Sequence, residues 1–529
     1  MVRIAMDPVE GSLPAPKWAA RARRIVRPAV VSLLARKEPK YHPRGNLFEK
    51  VPFIFHLHPH HCRPLKRFWL ALILLTFAAT ALPQEPTAPP IPNSAQANTP
   101  PLPPAAPFTP FAVSAPKTNA PAQPSLIAPF DSAAATREWL DSIPADQKAK
   151  SNAYFQGGYW LILWNFLITA LIALLLLATR TSARIRDFAE RSTRFKAMQV
   201  IIYAIPYIIL TAALSFPLTV YERYFREHQY GMATQTFGPW FAEQLKGLII
   251  ALILGPIFLV ALYAVFRAAP RTWWLWATAV VVAGTFFFSF IFPLFIEPIF
   301  NKYTPLTDPK IRDPILQLAR ANEIPVTKVF VVDASRQTKR VSANVAGFLN
   351  TTRIALNDNL LNQCTLPEIR AVMAHEMGHY VLNHIVKLAL FSALSFLVGF
   401  ALTKAAFDLL VRKYGSRWGV RDIADPAGLP LIGLSIGIYF FLITPLSNTS
   451  SRVIEREADI FGINAAREPD GMAKIALKLG IYRKMEPTPL EEFVFFDHPS
   501  GRSRIRMAMD WKAANLPNGT FDPSVGKPK

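Results

Sequence analysis

Six apolar runs, each about twenty residues long, restrict this chain more than any other feature; they lie at about 158–179, 199–221, 247–267, 273–295, 386–404 and 428–447. A bilayer core is about 30 Å thick and a helix rises about 1.5 Å per residue, so each run is long enough to cross once. Within lipid the backbone has to satisfy its own hydrogen bonds, and a continuous apolar run does so as a helix. With 51% hydrophobic residues in 529, the expected fold class is a mainly α, polytopic membrane protein with about six core transmembrane helices. No internal repeat relates the runs.

The N-terminal part reads differently. Residues 1–67 carry fourteen Lys and Arg against four acids and show no sustained period, which predicts a disordered basic leader. Lys66 and Arg67 then lead into FWLALILLTFAATAL, closing on Ala79, Thr80 and Ala81. A basic flank, a short apolar core and small residues at the end predict a signal peptide or signal anchor at 68–82. Residues 83–130 hold fifteen prolines among Ala, Thr, Ser and Asn, the composition of an extended linker. His42, His56, His58, His60 and His61 fall in the leader, without a supporting set of cysteines or carboxylates, and read as solvated chain.

The net charge of +22 invites a nucleic-acid reading. No finger spacing or aromatic-interleaved basic domain accompanies it, and much of the excess flanks the apolar runs, as membrane topology requires. A lipid bilayer is the expected partner and nucleic acid is not. Cys62 and Cys364 are the only cysteines, too few for a disulfide framework or a thiolate metal site.

Between the fourth and fifth core runs lies a polar stretch of about 90 residues. Its periodicity predicts a helix at 309–322, a strand at Val326–Val332, an extended run at Arg353–Leu356 and a further helix from about Pro367. Residues 371–380 of that helix read AVMAHEMGHY. On a helix, positions i and i+4 share a face, so His375 and His379 can bind one Zn²⁺ while Glu376 serves an attacking water as general base. A catalytic zinc takes three protein ligands. His384 lies five residues beyond His379, well round a continuous helix, and is set aside. Residues 452–461 read RVIEREADIF, within a helix expected at Ser451–Glu468, where Glu455 and Asp459 share a face. Glu455 can complete a His₂Glu site and Asp459 can orient an imaidazole ligand. Spacing alone also fits a charged, solvated helix face. Cys364 has no histidine partner by spacing and is a poor nucleophile.

HEMGH, the later SRVIEREAD and the earlier IEPIFNKYTPL together resemble the integral-membrane CAAX prenyl endopeptidases of the a-factor-processing type, zinc proteases of the same clan as the membrane protease HtpX. YERYFREHQYGMATQTFGPWFAEQ, TKVFVVDASRQTKRVSANVAGF and RIALNDNLL extend the likeness over about Phe216 to Met507. The resemblance implies a small α+β zincin-like catalytic module containing the HExxH helix, and one Zn²⁺ per chain on His375, His379 and Glu455, with Glu455 rather than Glu457 as third ligand and Asp459 as the paired acid. It also implies that Asn344 lies beside the substrate groove, that Arg353–Leu356 is an edge strand pairing with an extended peptide, and that His498 and Arg504, in HPSGRSR, contact substrate or transition state. The implied domains are an N-terminal transmembrane region at 150–295, a zinc metallopeptidase domain at 296–510 with a two-span hairpin at 386–447, and a tail at 511–529. The implied activity is membrane-embedded zinc metalloendopeptidase action on membrane-associated, lipidated or misfolded proteins. A non-catalytic scaffold or transporter keeping the fold would lack a ligand or the base, and none is missing.

The side of the membrane on which the site lies is read in two ways. The segment 180–198 carries Arg180, Arg184, Arg186, Arg191, Arg194 and Lys196; Arg271 and then Arg412, Lys413, Arg417 and Arg421 follow in two later loops. Counting six core spans puts these loops on one side, by the charge rule the cytoplasmic one, and the zinc module on the other. The resemblance implies a cytosolic catalytic domain.

Overall fold

The computed structural model describes residues 130–346 and 352–516. The leader, the signal-like run at 68–82, nearly all of the proline-rich linker and the end of the tail lie outside the described residues. After a short helix α1 (Ser132–Asp141) come α2 (Ala145–Ala178), the amphipathic α3 (Thr181–Ser192), α4 (Lys196–Val220), α5 (Phe237–Ala268) and α6 (Trp273–Ile291). A four-stranded sheet and its helices follow: β1 (Tyr303–Pro305), α7 (Pro309–Ala321), β2 (Val329–Val332), β3 (Ala343–Ala346), β4 (Arg353–Asn357), α8 (Asp358–Gln363) and α9 (Leu366–Val381). The remainder is helical: α10 (His384–Trp418), α11 (Leu429–Leu442), α12 (Thr444–Ala466), α13 (Pro469–Leu479), α14 (Pro489–Phe495) and α15 (Gly501–Asn515).

Four helices are long and apolar enough to cross a bilayer: α2, α4 as extended to Gln229, α5 and α10. Two more candidates are bent pairs, Trp273–Ser289 with Phe292–Phe300 at 43° and Pro426–Leu442 with Thr444–Ala466 at 57°, so the described residues offer four spans, or up to six if each pair is one. The second bend falls just before Pro445, whose missing N–H and ring disfavour helix through the preceding turn. It separates the sixth expected span, at 428–447, from the polar helix that follows. Leu171, Ile257 and Leu394 are each more than 60% exposed, as lipid-facing side chains are when no lipid is drawn around them.

The sheet order is β1-β2-β4-β3, with β2 and β4 parallel and both outer pairs antiparallel. This corrects the expectation for Arg353–Leu356: that run is an interior strand, paired on both sides, and the outer strands of the sheet are β1 and β3. Ile354 and Leu356 of β4 pack with Ile315 of α7 and with Met373 and Met377 of α9 in one apolar core. Each such side chain contributes about 1.5–3 kcal/mol by leaving water. Met373 and Met377 sit one turn apart, so the core takes one face of α9 and leaves His375, Glu376 and His379 to face away.

The basic loops gather in a second core. Leu177, Ala183, Phe266, Trp273, Phe407, Val420 and Ala427 pack together where α2 leads into α3, α5 into α6 and α10 into α11.

Candidate active site

Helix α9 begins with a capping box, Thr365 with Glu368, and Glu368 is also held by Lys478 Nζ at 2.7 Å. This fixes the helix that carries HExxH. Helix α12 lies against it through two close approaches. A Cβ added at Gly378 would meet Ala458 Cα at 3.2 Å, and one at Gly462 would meet His375 N at 2.9 Å. Glycine at both positions lets the backbones approach far enough for Glu455 to reach the two histidines.

The structure brings His375, His379 and Glu455 together, with one donor atom from each within 4.8 Å of the others. His375 Nε2 and His379 Nε2 are 3.2 Å apart. Glu455 lies 3.3 Å from the first and 3.5 Å from the second. A tetrahedral ion with bonds of about 2.0–2.1 Å separates its donors by about 3.3 Å, so the three residues fit a zinc-sized ion.

The other ring nitrogens are held from behind. Asp459 Oδ1 faces His375 Nδ1 at 2.8 Å, and Arg504 holds Asp459 through Nε at 2.8 Å and Glu455 through a terminal nitrogen at 3.1 Å. Asp459 thus stands behind the His375 ring. Arg504 lines the cavity and, through these two bonds, clamps both carboxylates. His498 Nδ1 is oriented by Asp497 at 2.8 Å, leaving Nε2 3.3 Å from Glu455 and facing the site. Its turn is pinned by Arg452, which donates to the Glu492 carbonyl at 2.6 Å and to that of Phe496, and by Tyr159 stacked on Phe495 at 3.8 Å.

Sequence reasoning missed the second use of His384. Asn383 takes a left-handed conformation, φ 53°, which ends α9 and turns the chain. The buried His384 ring therefore returns to His379, Nδ1 to Nδ1 at 2.9 Å, while its Nε2 faces Glu457 at 3.1 Å. Glu457 also accepts from Lys387 and lies outside the group formed by His375, His379 and Glu455. HExxH followed by His at the fifth position, with Asn between, was the available signal.

Glu376 lies beside this triad in a cavity of about 250 Å³, walled on one side by Val341, Ser342 and Ala343 as the chain enters edge strand β3. Burial pushes its carboxyl up to about 7, where it can take and return a proton near neutral pH. Burial, then the neighbouring His375, pushes His379 down to about 4, the neutral state a ligand needs. Asn344 is half-buried on β3, one residue beyond this wall, and is not itself among the groups lining the cavity. Burial pushes the Cys364 thiol up to about 11, which leaves it inert.

Comparison with known proteins decides the family. The profile of peptidase family M48 matches residues 305–512, and that of the CAAX prenyl protease N-terminal region with five membrane helices matches 132–302. An uncharacterized metalloprotease of Bacillus subtilis, YhfN, is 30% identical over 336 residues, covering 63% of this chain and 78% of that protein. The chain belongs to peptidase family M48. A CAAX prenyl protease 1 homolog of Arabidopsis thaliana is 32% identical over 305 residues, 55% of this chain and 68% of its own, and CAAX prenyl protease 1 of Saccharomyces cerevisiae is 28% identical over 351, 61% and 76%. The crystal structure of S. mikatae Ste24p superposes with a TM-score of 0.60 at 22% identity, covering 72% of this chain and 94% of that one, a likeness of fold. This M48 member is a multi-pass membrane metalloprotease of the CAAX protease type, mainly helical with a small mixed sheet.

Proposed function

We propose that the protein is a zinc metalloendopeptidase that hydrolyses extended peptide segments of membrane-associated, lipidated or misfolded proteins. The observation that carries this is the triangle of His375, His379 and Glu455 with Glu376 beside it in a cavity bounded by a free strand edge. Bound there, Zn²⁺ supplies Lewis acidity toward the scissile carbonyl and the attacking water. Glu376 takes the water's proton and delivers it to the leaving amine. Backbone groups on the free edge of β3 hold the peptide extended, with little dependence on its side chains, and Asn344 fixes its register. His498 donates from Nε2 to the carbonyl oxygen as negative charge develops. Arg504 and Asp459 keep Glu455 and His375 in place.

A second cavity, of about 1130 Å³, opens among α4, α5 and their neighbours, with Ile208, Ala212, Leu248 and Ala251 on its walls and Glu243 and Gln337 at the end nearest the sheet. Apolar walls leading to polar groups suit a substrate held by lipid or by a membrane segment.

Elemental analysis of purified wild type is expected to give about one zinc per chain, and Glu455→Ala to lose it. Wild type should cleave an unfolded reporter. Zinc retained in Glu455→Ala, or an intact reporter with zinc-replete wild type, sinks the reading. For orientation, the basic loops that gather around one core, read by the charge rule, support a module outside the cytoplasm. A phosphatase that works only when exported, fused after Lys529, should then be active, and a fluorescent protein that folds only inside should be dark; the reverse pattern overturns that placement.

A further inference from the structure

The cavity that holds the triad also holds a positive charge that none of the roles above employs. Arg483, in the turn between α13 and α14, lines the same wall as His498 and Arg504. The cations around it are paired: Arg504 with Asp459 and Glu455, Lys484 with Glu491 at 2.8 Å, Lys478 with Glu368, and Arg340 with Glu227 at 2.7 Å. Arg483 has neither a hydrogen bond nor an ion pair among the described residues; its guanidinium lies over the face of Tyr482, 5.9 Å from the ring centre. Asp497 and Glu455 act on it only through space, and each is already engaged, with His498 and with the triad. Burial and the neighbouring Arg504 both disfavour its charge.

A half-buried guanidinium beside a second one is stable there only if something offsets the repulsion and lost hydration. Its five donors form a planar fork that matches a carboxylate in bidentate fashion. We propose that Arg483 binds a carboxylate of the peptide occupying the cleft, either the chain's C-terminal carboxylate or an Asp or Glu side chain. The inference rests on the cavity being a peptide cleft, as proposed above. It makes the specificity of this enzyme part electrostatic, against the side-chain-independent pairing at β3. The site discriminates among substrates by where an acid lies along the peptide.

The test is fluorescence anisotropy on full-length, detergent-purified, zinc-loaded Glu376→Gln protein, so that binding is read without turnover. The probe is a fluorescein-labelled apolar decapeptide in three forms: free C-terminal carboxylate, C-terminal amide, and amide with one internal Glu scanned along it. One carboxylate-bearing form should bind about 10- to 100-fold tighter than the plain amide, the range of a charge-assisted hydrogen bond, and which form does so identifies the source. Adding Arg483→Gln should remove that preference while leaving the amide's affinity as it was, and Arg483→Lys should restore part of it. Equal weakening of all three forms by Arg483→Gln, a preference that survives it, or no preference to begin with overturns the assignment while leaving the cleft reading intact. Failure of every form to bind overturns the cleft reading itself and the Arg483 assignment with it.

Discussion

Two buried arginine–aspartate pairs stand in this molecule, and the contrast between them shows what makes a polar cluster a site. In the basic-loop core, Arg186 pairs with Asp425, donates to the Gly419 carbonyl at 3.2 Å and holds Asp187 at 2.7 Å. Asp425 also accepts from the backbone N–H groups of Arg421 and Ala427, both at 3.0 Å. Ser182 joins Tyr203 and the Ala427 carbonyl nearby, and Phe407 packs against Gly428. That cluster is saturated by its own partners and ties α3 to the loop after α10. In the catalytic module, Arg504 and Asp459 make a buried pair as well, but their neighbours His375, Glu455 and Glu376 face an open cavity. Pairing serves rigidity in both. Only the second leaves donor atoms without a protein partner on one side, and those atoms can meet a metal and a substrate.

The comparison is tested most severely at the open side. Glu376→Gln should retain zinc and fold yet lower turnover by about 10²–10⁴-fold, because the amide fills the same space and cannot take a proton; turnover near wild type would show that another base operates. Next come the two pairs themselves. Arg504→Ala and Asp425→Ala each remove one partner from a buried charge and should each lose about 3–5 kcal/mol of stability in denaturant titrations. Only Arg504→Ala should also lose zinc and turnover per folded molecule, and a parallel loss in Asp425→Ala would erase the distinction. His384→Ala should weaken zinc binding by about 10- to 100-fold in chelator competition, since it removes the partner that orients His379. The smallest effect is expected at Cys364→Ala, a half-buried thiol with no base beside it, where turnover should be unchanged.

Much of this was legible in the sequence, for local reasons. The long apolar helices follow from run length and the HExxH face from helical spacing, which is set within a turn or two of chain, whereas spacing left Glu455 and Asp459 open to a solvated face and the resemblance singled them out. What was not legible depends on distant contacts. The edge strand was assigned to Arg353–Leu356 because nothing local shows that β4 inserts between β2 and β3. That Arg504 holds Asp459 and Glu455 could not be read locally, since these partners lie 45 and 49 residues away. His384 was set aside on the premise of a continuous helix, and a single left-handed residue, Asn383, broke that premise. Gly378 stood inside the motif, but its reason, the approach of α12, needed the fold.

The placement of the hairpin has a consequence for biosynthesis. His375 and His379 precede α10 and α11, while Glu455 follows them, so a nascent chain carries two thirds of the metal site until both segments have been threaded into lipid. The Gly462 approach to His375 can close only after that. A chain made in this order cannot bring Glu455 to His375 and His379 before the hairpin between them is in place, so membrane insertion and completion of the triangle are coupled in time.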